Sequence, residues 1–122
     1  MTPDRELLAR AEAAAARAYA PYSRFRVGAA ARARDGTVLT GVNVENAAYP
    51  LGVCAERAAL ARAVGEGYGP GELEALAVTA SPCGGCRQWL AEFRVDAVTY
   101  RRADGELAVA TAADLLPDTF QL

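Results

Sequence analysis

Apolar positions recur along the chain at two spacings. In residues 4–19, DRELLARAEAAAARAY, Leu7, Leu8, Ala11, Ala14, Ala15 and Ala18 form one stripe at three- and four-residue intervals. That is the period of an amphipathic helix, and Thr2-Pro3 just ahead offers a start. The period then drops to two. In FRVGAAARA, Phe25, Val27, Ala29 and Ala31 alternate as in a half-buried strand. Arg34-Asp35-Gly36 is a hairpin turn signal, and TVLTGVNV returns as the second strand. A second helix is expected from near Cys54 through ERAALARAVGEG, stopped by Gly65 and Gly67. LEALAVTA reads as a short buried strand. SPCGGCRQWLAEF predicts a third helix with Ser81 as N-cap and Pro82 at its first position. DAVTYRR, the turn ADG and ELAVATA make a second hairpin, and AADLLP adds a helical turn before the tail DTFQL.

The resulting order, α-β-β-α-β-α-β-β, interleaves helices with strands. It predicts an α/β protein with a mixed five-stranded sheet between helices, a three-layer α-β-α arrangement. At 122 residues the chain is expected to be one domain, 1–122, broken only by the Gly-rich connection GEGYGPGE at 65–72.

Composition then removes whole classes of function. Net charge is −2 and no basic run exceeds the pair Arg101-Arg102, which argues against a duplex nucleic-acid surface. No apolar stretch approaches the ~20 residues needed to span a bilayer, so no membrane partner is expected. Asp4 and Glu6 interrupt any leader-like apolar run near the N-terminus. The expected setting is the cytoplasm. There is no histidine, so proton transfer near neutral pH must fall to a carboxylate, a cysteine or a metal-bound water. A zinc site could draw only on Cys, Asp and Glu.

The chain has three cysteines: Cys54, Cys83 and Cys86. Cys83 and Cys86 stand three apart where a strand gives way to a helix, so the helix dipole and free first-turn amides favour thiolate. That motif alone fits a redox pair, a structural zinc site or a catalytic one equally well. Cys54 breaks the tie. A closed structural site wants four protein ligands, and no fourth cysteine or histidine exists. Three soft ligands with one open position is the pattern of a catalytic zinc, whose bound water has a pKa near ~7. A redox reading leaves Cys54 and Glu56 without a role.

Residues 54 and 56 do not share a helix face, so they converge on one metal only if it lies off the helix end. Two helix N-termini would then point at one site. Glu56 reads either as a routine dipole partner or as a proton shuttle, and the adjacent thiols favour the shuttle. Arg57 reads equally as a surface arginine or as a donor that offsets sulfur charge.

VCAER followed by SPCGGCRQ resembles the zinc-dependent nucleoside and base deaminases, in the form with cysteine at the first ligand position. YSRFRVGAA, TGVNVENAAYPLGVCAERAAL, SPCGGCRQWLAEF and DLLP fall in the order seen in the small homotetrameric cytidine deaminases. The resemblance implies a cytidine-deaminase-like fold, with Cys54, Cys83 and Cys86 holding one Zn2+ per chain. It implies hydrolytic deamination of cytidine and 2′-deoxycytidine in pyrimidine salvage, with zinc-bound hydroxide attacking C4 and Glu56 as proton shuttle. It assigns Asn43 and Glu45 of NVEN to the sugar hydroxyls, chiefly the 3′-OH, and Phe25 to the pyrimidine ring. Ala48, Tyr49 and Phe120 match positions that reach a neighbouring subunit's active site, which implies a homotetramer with shared sites. Without the resemblance, NVEN reads as a polar strand end and Phe25 as core. The alanine face of the second helix (Ala55, Ala58, Ala59, Ala63) is a candidate for close packing between subunits. Two departures stand out: an unusually short connection before Pro82, and Arg26 where proline is the more frequent residue.

Other readings are a superfamily deaminase acting on a nucleoside antibiotic, a free base or a base in nucleic acid, a C-x-x-C redox protein, and a zinc-binding module without activity.

Overall fold

The computed structural model describes residues 1–122. Its first helix, α1 (Arg5–Ala15), is opened by Asp4, whose carboxylate accepts a hydrogen bond from the Leu7 amide at 3.0 Å. Thr2-Pro3 therefore precedes the cap and does not start the helix. The stripe of Leu7, Leu8, Ala11 and Ala14 is buried as its spacing predicts. The helix ends at Ala15, short of Tyr19, because the chain turns to lay Tyr19 beside Val44. The Tyr19 amide donates to the Asn43 carbonyl at 3.1 Å, and the Glu45 amide donates back to the Tyr19 carbonyl at 2.8 Å.

Five strands follow: β1 (Gly28–Ala33), β2 (Val38–Val42), β3 (Leu73–Val78), β4 (Ala97–Arg101) and β5 (Leu107–Ala110). They form one sheet in the order β2-β1-β3-β4-β5, antiparallel except for the β3–β4 pair. Helices α2 (Ala55–Gly65) and α3 (Gly84–Phe93) make the crossovers on either side of β3, and α4 (Ala112–Leu115) closes the last hairpin. This is the mixed five-stranded α/β sheet that the element order predicts.

The sheet is covered on both faces. On one, Leu7, Leu8 and Ala11 of α1 pack on Ala30, Ala75 and Ala77. On the other, Ala55, Ala59, Leu60 and Ala63 of α2 and Leu90 and Phe93 of α3 pack on Ala29, Ala31, Leu76, Val78 and Val98. The expectation of a half-buried β1 is thereby corrected: Gly28 to Ala31 are all buried, because alanines on both faces let helices sit close on either side. Strand pairing also starts at Gly28 rather than Phe25. Most of the α2 alanine face is likewise used inside the subunit, with Ala55, Ala59 and Ala63 fully buried against the sheet.

Two glycines set how closely the helices approach. A Cβ at Gly28 would lie 2.7 Å from the Ala15 amide nitrogen and closer still to the Ala11 carbonyl oxygen. A Cβ at Gly41 would lie 2.6 Å from the Ala55 carbonyl oxygen and closer still to the Ala59 amide. Only glycine allows these backbone contacts.

The register brings three connections to one end of the sheet. Gly28 pairs with Val42, and Ala29 with Val78. The segments before β1, after β2 and after β3 therefore meet at the carboxyl end of β3, where open α/β sheets bind ligands.

Candidate active site

Both helices that point at this end have a cysteine at the residue just before their first turn. Cys54 is the N-cap of α2, in extended conformation. Cys83 is the N-cap of α3, and its sulfur accepts from the Cys86 amide at 3.4 Å. This corrects the expectation of Ser81 as cap and Pro82 at the first helical position, since α3 begins at Gly84. Cys86, in the first turn of α3, is buried, whereas Cys83 is exposed.

The three sulfurs lie within 4.8 Å of one another, with Cys54 and Cys83 at 3.9 Å. Tetrahedral zinc with Zn–S bonds of about 2.3 Å needs sulfurs about 3.8 Å apart. The cluster is therefore positioned to hold a metal ion, and its soft, all-sulfur chemistry suits zinc.

Arg57 reaches back from the first turn of α2. Its Nη2 lies 3.6 Å from the Cys54 sulfur and 3.5 Å from the Gly52 carbonyl oxygen, while its buried Nε has no partner. The hydrogen bond to the Cys54 sulfur raises the guanidinium pKa above its ordinary value.

Glu56 is 4% exposed. Burial raises its carboxyl above the ordinary carboxylate range, against its own amide, the Cys86 thiol and the Arg57 charge, which pull it down. Burial also pushes the Cys83 thiol up, but the amides of Cys86 and Gly85 and the neighbouring thiols outweigh it, leaving Cys83 below the usual thiol value. Cys86 is pushed upward, first by burial and then by the charges of Glu56 and Cys54.

A cleft of about 250 Å³ opens over the cluster, with Cys54, Glu56 and Cys83 on its floor. Phe25, Asn43 and Glu45 line its wall. Phe25 is not core: it is 60% exposed. Asn43 accepts from the Val27 amide at 2.8 Å and donates to the Phe25 carbonyl at 2.9 Å, which explains why Phe25–Val27 lies outside the strand ladder. Glu45 accepts from the amides of Tyr22 (2.9 Å) and Ser23 (3.1 Å) and from the Ser23 hydroxyl.

Three residues named from sequence do not join this cleft. Ala48 lies in the loop just before the 3-10 turn Tyr49–Leu51, where its amide donates to the Asn46 side chain at 2.9 Å. Tyr49, 89% exposed, borders a neighbouring groove with Tyr22 and Glu45. Phe120, 75% exposed, lies in the tail against the outer side of α3, beside Gln88 and Glu92.

The structure adds two residues that spacing did not reveal. Ser23 lines the same cleft. Arg87 donates to the Pro82 carbonyl at 2.9 Å and the Leu115 carbonyl at 3.1 Å, tying the loop before Cys83 to α4. Single serines and arginines carry no periodic signal, so only the fold could show these contacts.

Three cysteine sulfurs gathered from two helix starts, with a glutamate in the first turn of one of them, match the signature of the zinc-dependent deaminases. Within that class, the model of the cytidine and deoxycytidylate deaminase zinc-binding region matches residues 1–102, and the chain belongs to that family. It is 44% identical to a cytidine deaminase of Sporosarcina psychrophila, over 94% of this chain and 89% of the relative. The crystal structure of a cytidine deaminase from Burkholderia pseudomallei superposes with a TM-score of 0.89 at 46% identity, covering 98% of this chain and all of the other. The corresponding Mycobacterium tuberculosis structure gives a TM-score of 0.84 at 41% identity, covering both chains completely. No helix is long and apolar enough to cross a membrane.

Proposed function

We propose that this protein hydrolyses the 4-amino group of cytidine and 2′-deoxycytidine, giving uridine and 2′-deoxyuridine with release of ammonia, as a step of pyrimidine salvage. The whole chain, 1–122, acts as one catalytic domain. The observation that carries the reading is the convergence of three thiols and a buried carboxylate on the floor of a cleft walled by Phe25, Asn43 and Glu45.

Cys54, Cys83 and Cys86 would hold one zinc ion, which would supply an acidified water as nucleophile. Arg57 offsets thiolate charge at Cys54, which would otherwise blunt that acidification. Glu56, made more basic by burial, would take one proton from the attacking water and deliver it to N3 of the ring, then pass the remaining proton of the new C4 hydroxyl to the amino nitrogen, which leaves as ammonia as the C4 carbonyl forms. Phe25 contacts the pyrimidine face. Asn43 and Glu45 receive the sugar hydroxyls, which favours a ribose-bearing substrate over a free base. The net charge of −2 disfavours a polynucleotide. Three free thiols suit a cytoplasmic setting, since an oxidising compartment tends to pair them.

We also assign Ala48, Tyr49 and Phe120 to the site of a neighbouring copy in a homotetramer. Their exposure, and the fact that none of them lines the chain's own cleft, support this. A fully active, zinc-loaded monomer in sedimentation would contradict it.

The decisive experiment follows the ultraviolet absorbance of cytidine and 2′-deoxycytidine with zinc-loaded protein. Loss of the cytosine band at catalytic protein concentration is expected. No change with either nucleoside would overturn the reading in favour of another deaminase substrate.

A further inference from the structure

The segment Tyr22–Val27, which brings Ser23 and Phe25 to the cleft, is hydrogen-bonded to the side chains of Asn43 and Glu45 in addition to its backbone bonds to Ala20 and Asn43. Within that segment, one hydroxyl does two things. Ser23 Oγ donates to Glu45 Oε2 and accepts from the Phe25 amide at 3.0 Å. Arg24, between them, has φ of 60°, a left-handed conformation unusual for a residue with a Cβ. Strain of this kind persists where the surroundings enforce it, and it clusters at ligand sites. Here it accompanies the turn that brings the Phe25 amide back onto Ser23.

A carboxylate offers about four lone-pair positions. Two on Glu45 Oε1 are taken by the Tyr22 and Ser23 amides, and one on Oε2 by the Ser23 hydroxyl. One position on Oε2 is left, and its direction depends on where the Ser23 hydroxyl holds that oxygen. The Ser23 hydroxyl is also the foremost cause that keeps Glu45 below the ordinary carboxylate range, and so ionised as a pure acceptor.

Resting on the functional reading above, we propose that Ser23 is a positioning residue for substrate: its hydroxyl aims the open lone pair of Glu45 at the sugar 3′-hydroxyl. Ser23 touches no reacting atom in this role. It acts through Glu45.

The test compares kcat/KM for cytidine and 3′-deoxycytidine in zinc-loaded wild type, Ser23→Ala and Ser23→Thr, with melting curves and zinc content for each. Ser23→Ala should lose on the order of ten-fold for cytidine, the scale of one hydrogen bond to a charged group, and less than about two-fold for 3′-deoxycytidine. Ser23→Thr, which keeps the hydroxyl, should restore most of the cytidine rate. Where 3′-deoxycytidine turns over too slowly, inhibition constants for uridine and 3′-deoxyuridine read the same difference. An equal loss on both substrates, or no loss on either, overturns the positioning role. Wild-type protein that leaves cytidine unchanged overturns the functional reading instead, so the two failures are distinct.

Discussion

The Cys83 sulfur accepts a hydrogen bond from the Cys86 amide at 3.4 Å, so one member of the thiol cluster is also the cap of the helix that carries another. Metal binding and helix initiation are thereby joined in one atom.

Two substitutions at Cys83 separate those roles. Cys83→Ala removes both the donor and the cap, whereas Cys83→Ser keeps a capping oxygen but loses the soft thiolate. Both should fall well below one zinc per chain in metal analysis. In metal-free protein, Cys83→Ala should be less stable than Cys83→Ser by about 1 kcal/mol in urea denaturation, the usual worth of a cap. Equal stability would mean that the sulfur does not cap α3.

Glu56→Gln keeps the shape of a nearly buried side chain that is not one of the clustered thiols. Zinc content should stay near wild type while deamination falls by about 10²- to 10⁴-fold, the range of general acid–base catalysis. Turnover near the wild-type rate would remove Glu56 from the mechanism.

Gly41→Ala should push α2 off the sheet, because the new Cβ meets the backbone of Ala55 and Ala59. Overpacking of backbone against backbone is expected to cost about 3 kcal/mol, and zinc affinity should drop with it, since α2 carries Cys54 at its head. Gly65→Ala, at the other end of the same helix, meets nothing within 4 Å. It should stabilise by about 0.5–1 kcal/mol. Chemical denaturation of the two variants side by side checks both signs.

Asp35 gives the acid limb of stability a defined contributor. The Thr37 amide at 2.9 Å, then the Tyr68 hydroxyl at 2.7 Å, hold its carboxyl below the ordinary value. A folded carboxyl more acidic than the unfolded one adds stability above the unfolded pKa, and that contribution is lost as pH falls through the folded pKa. Asp35→Asn should therefore melt lower than wild type at neutral pH, with the gap closing as pH falls below the ordinary carboxylate range. A gap that stays constant with pH would show that the charge has no part in it.

The thiol cluster was legible without coordinates because it follows from residue counts and short spacings. With no histidine and only three cysteines, a zinc site had one possible sulfur set. The stripe of α1 and both hairpins were legible for a similar reason: each is governed by contacts a few residues apart. The boundaries were less so. Ser81-Pro82 carries every local sign of a helix start, yet Cys83 caps α3. The Arg87 side chain holds the Pro82 carbonyl and the Ser81 hydroxyl ahead of the helix.

What the sequence by itself determined was the set of three thiols available to a metal, the order of elements and the acid–base candidate, because each depends on residue type and on periods of two or 3.6. Only the tertiary structure decided which faces the alanines bury, that Phe25 is open to the cleft, and that Ser23 and Arg24 stand beside Glu45. Those relationships depend on sheet register. Pairing Gly28 with Val42 and Ala29 with Val78 brings together residues tens of positions apart, and no local spacing encodes distances of that kind.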